Sequence, residues 1–210
     1  MLCDWLIPDW PAPANVRAAF TTRAGGCSTP PWDSLNLGDH VGDELQHVAA
    51  NRTRLGRTIA SRPVFLKQVH GVGVERLSDA TPVGTVADAS ITTQRGLACT
   101  IMVADCLPVL LTNSEGTVVA AAHAGWRGLA GVDMQGQRGE KGVLETVFSA
   151  FQVPKIPLAH LYTGQAAPEI IAWLGPCIGP AAFEVGAEVD RKSTRLNSSH
   201  RNTSRMPSSA

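Results

Sequence analysis

The sequence carries no surplus of basic charge, no long apolar run and no compact array of cysteines, and each absence closes a class. Its 210 residues hold 18 Lys and Arg against 18 Asp and Glu. Every acidic residue lies at or before Asp190, whereas Arg191, Lys192, Arg195, Arg201 and Arg205 lie after it, so residues 1–190 carry 13 basic against 18 acidic side chains, a net of −5. A body with that balance offers no basic face for nucleic acid. No apolar run approaches the roughly 20 residues that span a bilayer, so no membrane partner is expected. The N-terminal Met-Leu-Cys-Asp-Trp lacks the basic region and apolar core of a signal peptide. The five cysteines (Cys3, Cys27, Cys99, Cys106, Cys177) are scattered and odd in number, which argues against a disulfide framework and for a reducing compartment. A cytoplasmic protein is the expectation. Only five of the six histidines precede the C-terminal tail, too few for a multicopper oxidase. The zinc nucleobase-deaminase signature, H-x-E with P-C-x-x-C, is missing.

What is present is enough chain for one domain with a sizeable core, and one stretch around which it is organised, Leu97–Gly128. The apolar runs Leu107–Thr112 and Thr117–Ala122 flank Asn113-Ser114-Glu115-Gly116 and read as a hairpin with a four-residue loop. Pairing Thr112 with Thr117 sets Cys106 opposite His123, with Cβ atoms about 4.5–5.5 Å apart. Pro108 strains that reading, because proline favours an edge strand or a bulge.

Other strands are expected at Val16–Thr22, Val64–Val69, Gly73–Leu77, Asp88–Thr93, Leu97–Val103 and Ile170–Leu174. A helix is expected from an Asp43 N-cap, with Gln46 completing a capping box and Gly56 as its stop. Val143–Phe151 reads as a second, amphipathic helix. Strands dominate without regular β-α alternation, which predicts an α+β fold with mixed or antiparallel sheets flanked by helices. The polar segment Asp133–Gly142 reads as a surface insertion that breaks a helix otherwise running from Gly128 to Phe151. The tail from Arg191 has six serines and neither an acidic nor an aromatic residue. Such a composition cannot bury a core and reads as foreign sequence. The helix expected from Glu184 is then cut short and the 1–190 domain truncated.

His70 ends a strand, and Cys106 and His123 sit at the open ends of the hairpin. Two imidazoles and a thiolate suit zinc with one position left for water or substrate. The separations of 36 and 17 residues match no compact finger, so a buried structural thiol with satisfied histidines stays open. A cysteine nucleophile, with His123 or His70 as base and Asp105 orienting it, also stays open. Copper in a His₂Cys site takes an axial Met, for which Met102 is near but reads as core. Arg23, beside Gly25-Gly26, and Arg127, in Gly125-Trp126-Arg127-Gly128, are handles for an anion. Anion binding is favoured if a helix starts after Gly128. Gln68 shares a strand face with His70 and is a pocket candidate. Asp88 begins a strand and reads as a turn cap.

In combination, TTRAGGCSTPPWDSLNLGDHVGD, NRTRL, FLKQVHG, ADCLPVLL, AAHAGWRGL and LGPCIGPAAFEVG resemble the YfiH-like family over about residues 2–190. That family was once labelled polyphenol oxidase or laccase and is now described as purine nucleoside phosphorylase. The resemblance implies a single-domain α+β fold and a zinc site made by His70 in KQVHG, Cys106 in ADC and His123 in AAHAGWRG, with copper as the second choice. It implies phosphorolysis of adenosine, inosine, guanosine and methylthioadenosine, together with adenosine deamination. Purine nucleosides and phosphate would be the partners, with Arg23 and Arg127 holding phosphate. Editing of peptidoglycan precursors has also been linked to bacterial members. Family members run uninterrupted through the 133–142 region and continue past the EVG segment. The metal ligands would therefore be kept here while part of the substrate wall is lost.

Overall fold

The computed structural model describes residues 4–132, 137–152 and 169–186. It divides into two units, Met1–Cys177 and Ile178–Ala210. In the first unit the elements run α1 (Leu45–Ile59), β1 (Arg62–Phe65), β2 (Val74–Arg76), β3 (Ala89–Thr92), β4 (Leu97–Thr100), β5 (Leu107–Asn113), β6 (Val119–Ala124), α2 (Trp126–Ala130), α3 (Val143–Gln152) and β7 (Ile170–Leu174). A five-stranded sheet has the order β2-β3-β6-β5-β7, and β1 and β4 form a second, two-stranded sheet. The β1–β4 and β2–β3 pairs are parallel, and the remaining pairs are antiparallel. This is an α+β fold with mixed sheets, as the irregular strand order led us to expect.

The hairpin register differs from the expected one. Thr112 pairs with Val119 and Pro108 with His123. The cause is Asn113, whose Oδ1 accepts the N–H groups of Thr117 and Val118 at 2.9 and 3.0 Å while its own N–H donates to Val118 O. The side chain closes the turn itself, β5 runs on through Asn113, and the loop lengthens. The slip is by an even number of residues, so every side chain keeps its face. Pro108 is the second residue of β5, which is an interior strand between β6 and β7. It is tolerated there because it stands near the strand's start.

The alternation of β3, β5 and β6 sorts the large sheet into two faces. Ala89, Ile91, Val109, Leu111, Ala120, Ala122 and Ala124 pack with Val143 and Val147 of α3 into the main core. Complete burial of each such valine contributes about 1.5–3 kcal/mol. The other face carries buried polar groups: Ser90, Thr92, Thr112 and His123. Leading into β3 on that same face is Asp88, which is fully buried.

Several expected boundaries shift. The 16–22 segment forms only an isolated bridge, Leu6 with Phe20. The β1, β2, β3 and β4 strands are shorter than the apolar runs that announce them. Glu44, not Asp43, is the N-cap of α1; the Asp43 carboxylate accepts Ser28 Oγ at 2.6 Å and Asn36 Nδ2 at 2.9 Å instead. Gly56 lies inside α1, which ends at the left-handed Ala60. A Cβ at Gly56 would come within 3.2 Å of Pro63, so the glycine serves close packing and not termination. The helix break near residue 131 is present: Gly131 is left-handed, and Val132 bridges to Arg138. Residues 133–136 of the expected insertion, and the whole tail from Arg191, lie outside the described residues. In the second unit, Gly179 O accepts the N–H groups of Ala182 and Phe183. Glu184–Gly186 are not helical, and the rest of the helix expected there falls outside the described residues.

The loop from Arg23 to Asp43 is anchored to α1 by Asn51, which is 1% exposed. Its Oδ1 accepts Cys27 N at 2.9 Å, and its Nδ2 lies 2.9 Å from Ser28 Oγ, 3.1 Å from Ser34 O and 2.9 Å from Asn36 O. Truncation strands these groups in a buried setting. Asn51→Ala is expected to cost roughly 2–4 kcal/mol, read as a lower urea midpoint with an unchanged slope.

Candidate metal centre

The centre is built outward from Asp88. Its Oδ1 accepts His70 N at 2.8 Å, and its Oδ2 accepts Val69 N at 3.1 Å and Gly71 N at 2.8 Å. Oδ1 also meets His123 Nδ1 at 2.8 Å. Three successive backbone N–H groups thus wrap one carboxylate. This holds His70 in the left-handed region, φ +58°, a conformation that costs a non-glycine residue roughly 1–2 kcal/mol. Burial pushes the Asp88 carboxyl up. The hydrogen bonds from His123, Gly71 and Val69 outweigh it and hold the group below the usual carboxylate range. An ionised acceptor at Nδ1 makes that nitrogen the donor and leaves Nε2 of His123 free to ligate.

His123, from β6, is 3% exposed, and its ring meets that of His70 edge-on, with centroids 4.7 Å apart. Cys106 enters from the loop before β5. One ligand atom from each of His70, Cys106 and His123 lies within 4.8 Å of the other two, so the three residues picked from the sequence do converge. Gly125 closes the far side: a Cβ there would lie 3.0 Å from both Cys106 Sγ and His70 Cδ2. Burial, together with the neighbouring His123 and Arg127 and against the help of Asp88, lowers the pKa of His70. The imidazole therefore stays neutral, the form a metal needs. Burial and the charges of Asp105, Asp88 and Cys177 push the Cys106 thiol up.

The remaining sequence candidates take different positions. Gln68 clamps the loop that delivers Cys106: its Nε2 donates to Met102 O at 2.8 Å, and its Oε1 accepts Met102 N at 2.9 Å. Arg127 stacks its guanidinium 4.4 Å over Trp126 and is close enough for its charge to be felt at His70. Both belong to α2, which begins at Trp126 and not after Gly128. Arg23 is spent on its own loop, donating to Asp33 O at 2.7 Å and Pro31 O at 3.3 Å, with Asp33 Oδ1 at 3.7 Å. The Met102 sulfur is turned to Arg52 Nη2, at 3.9 Å, instead of standing as an axial ligand. Asp88, and not Asp105, orients the histidine; an acidic residue at a strand start looks like a turn cap until β3 is known to lie beside β6.

The fold and the three-residue centre define a class: mixed-sheet α+β proteins with a His/Cys/His centre at a sheet rim. The family described as multi-copper polyphenol oxidoreductase laccase matches residues 17–209, and the chain belongs to this YfiH-like, laccase-domain family. It is 51% identical over 186 residues to a purine nucleoside phosphorylase of Pseudomonas aeruginosa, covering 88% of this chain and 66% of that protein. It is 47% identical to the purine nucleoside phosphorylase YfiH of Escherichia coli, covering 88% and 68%. The crystal structure of the Neisseria meningitidis protein NMB0706 superposes with a TM-score of 0.78 at 39% identity, over 98% of this chain and 76% of that one. The chain spans about two-thirds of the length of the curated relatives it matches. Among the described residues, no helix is long and apolar enough to cross a membrane.

Proposed function

We propose that this chain is a zinc-dependent purine nucleoside phosphorylase, acting on adenosine, inosine, guanosine and methylthioadenosine with phosphate, and also an adenosine deaminase. A cytoplasmic location fits those substrates. The observation that carries the reading is the convergence of His70, Cys106 and His123 on one point beside an ionised, fully buried Asp88. Three protein ligands of this softness suit zinc with a fourth position open. Copper is less well served, because Met102 points elsewhere. When bound, zinc supplies Lewis-acid polarisation of an oxygen.

The chain's own residues do the rest. Asp88 fixes the His123 ring and keeps its Nε2 available. Gln68 sets the height of the Cys106 loop. In phosphorolysis, phosphate attacks the ribose carbon as the purine leaves, so an anion must be held beside the sugar. Arg127, whose charge reaches His70, is the nearer holder, and Arg23 would act through its loop. The alternative is a cysteine hydrolase acting on peptidoglycan precursors, for which Cys106 and the neighbouring imidazoles would serve as nucleophile and base; it predicts covalent labelling of Cys106 by an electrophile and indifference to chelators.

The test is metal analysis of the purified chain together with an adenosine assay run with and without phosphate. One zinc per chain and phosphate-dependent release of adenine are expected, and both should be lost in Cys106→Ala. Full phosphorolysis by metal-free protein would overturn the proposal.

A further inference from the structure

Cys177 has no part in the reading above, yet the sheet directs it at the centre. β7 pairs antiparallel with β5, Val109 opposite Leu174 and Leu110 opposite Trp173. The ladder continues one step past the strand, where Gly175 N donates to Pro108 O at 2.9 Å. A Cβ on Gly175 would lie 2.7 Å from the Pro108 ring, so the two backbones stay in contact there. Extended past Pro176, the same register would set Cys177 against Cys106. Opposed residues in an antiparallel pair have Cα atoms about 4.5–5.5 Å apart, inside the roughly 4.4–6.8 Å that a disulfide spans. The face agrees as well. His123, Pro108 and Gly175 stand abreast on one side of the sheet, and on the same registers Gly125, Cys106 and Cys177 would form the next row toward the open rim. Both cysteines are free thiols, Cys177 exposed and Cys106 half-buried.

We infer that Cys106 and Cys177 form a redox-sensitive pair, and that a disulfide between them withdraws the sulfur from the His70/Cys106/His123 centre. The inference goes beyond the proposed activity and does not depend on the substrate. The oxidant is a low-molecular-weight disulfide of the glutathione type. The exposed Cys177 thiolate attacks one of its sulfurs, forms a mixed disulfide and releases one thiolate. Cys106 then attacks the Cys177 sulfur, closes the internal disulfide and expels the second thiolate. Two cysteine thiols are oxidised, one external disulfide is reduced to two thiols, and the two protons end on those thiols. Metal coordination and the cross-link compete for the same sulfur.

The experiment treats the full chain, as purified, with oxidised glutathione. The protein is then digested with trypsin and with a protease that cuts before aspartate, which separates Cys99 from Cys106 at Asp105. Mass spectrometry is expected to find a Cys106–Cys177 linked peptide, with loss of two thiols and release of bound metal, all reversed by dithiothreitol. Cys177→Ser, changed at an exposed position, should keep its far-UV circular dichroism and its metal under the same treatment. Cys177 recovered only as a glutathione adduct, linked to a different cysteine or still a free thiol would overturn the inference. Because the readout is a peptide mass, failure of the phosphorylase reading leaves this test intact.

Discussion

Asp88→Asn is expected to weaken metal binding about 10–100-fold and, by stranding buried donors, to lower stability by roughly 2–4 kcal/mol. The substitution is nearly isosteric, so its effect isolates charge and hydrogen-bond polarity. Both carboxylate oxygens of Asp88 are acceptors facing donors: His70 N and His123 Nδ1 at Oδ1, Val69 N and Gly71 N at Oδ2. An amide can present its oxygen to only one pair and must turn its NH₂ toward the other. If the NH₂ faces Val69 and Gly71, the backbone that holds His70 at φ +58° loses its anchor. If it faces His123, the ring loses the acceptor that fixes its tautomer. Either orientation damages one of the two histidines. Zinc titration against a competing chelator and urea unfolding of the metal-free protein measure the two losses separately. Unchanged metal affinity would show that the histidines hold their places without Asp88.

The same carboxylate sets a pH dependence whose sign is fixed. The Asp88 pKa is lowered in the folded protein, so its contribution is complete above the unfolded carboxylate value of about 3.9. It is lost as pH falls from there through the folded pKa. Metal-free wild-type protein should therefore lose stability steeply below about pH 4, and Asp88→Asn should show a shallower fall over that window. Parallel acid-unfolding curves would rule out Asp88 as the main acid-labile group.

The α+β class and the juxtaposition of Cys106 with His123 were legible in the sequence because both depend on periodicity; that His70 joins them was implied by the family resemblance and not by spacing. A hairpin whose expected register is wrong by an even number of residues still presents the same faces. Cys106 and His123 therefore reached one side of the sheet even though Pro108, and not Cys106, stands opposite His123. What could not be read is whatever depends on a side chain's choice between local and distant partners. Asn113 looked like an ordinary turn residue, but it accepts two backbone N–H groups and resets the loop. Asp43 had the chemistry of a helix cap, yet Ser28 and Asn36 claim its carboxylate. Gln68 was placed in the pocket by strand alternation; its partner, the Met102 backbone, is set by the crossing of two loops. Asp88 is the clearest case, since its role exists only once β3 and β6 lie side by side.

Gly125→Ala is expected to leave the fold nearly intact while lowering metal affinity and any metal-dependent activity by about tenfold or more. Gly125 has φ −69° and ψ 162°, extended values that alanine adopts without strain, so the backbone gives no reason for glycine here. Space does. The added methyl would lie 3.0 Å from Cys106 Sγ, 3.0 Å from His70 Cδ2 and 3.8 Å from His123 Cε1, touching all three members of the centre at once. His123 cannot retreat, because it is buried and tied to Asp88. His70 and Cys106 must yield, and His70 is the more exposed of the two. Moving a ligand by a fraction of an ångström spoils a site whose function requires its groups to be held within about 0.5 Å of their working geometry. The expected signature is a separation of effects: a urea midpoint close to wild type, a weaker zinc titration and, on the proposed function, a lower rate of phosphate-dependent base release. Asp88→Asn, in contrast, should move all three. If Gly125→Ala binds zinc as tightly as wild type, the thiol and the imidazoles do not close on a single ion beside Gly125, and the centre must be sought in another pairing of these residues.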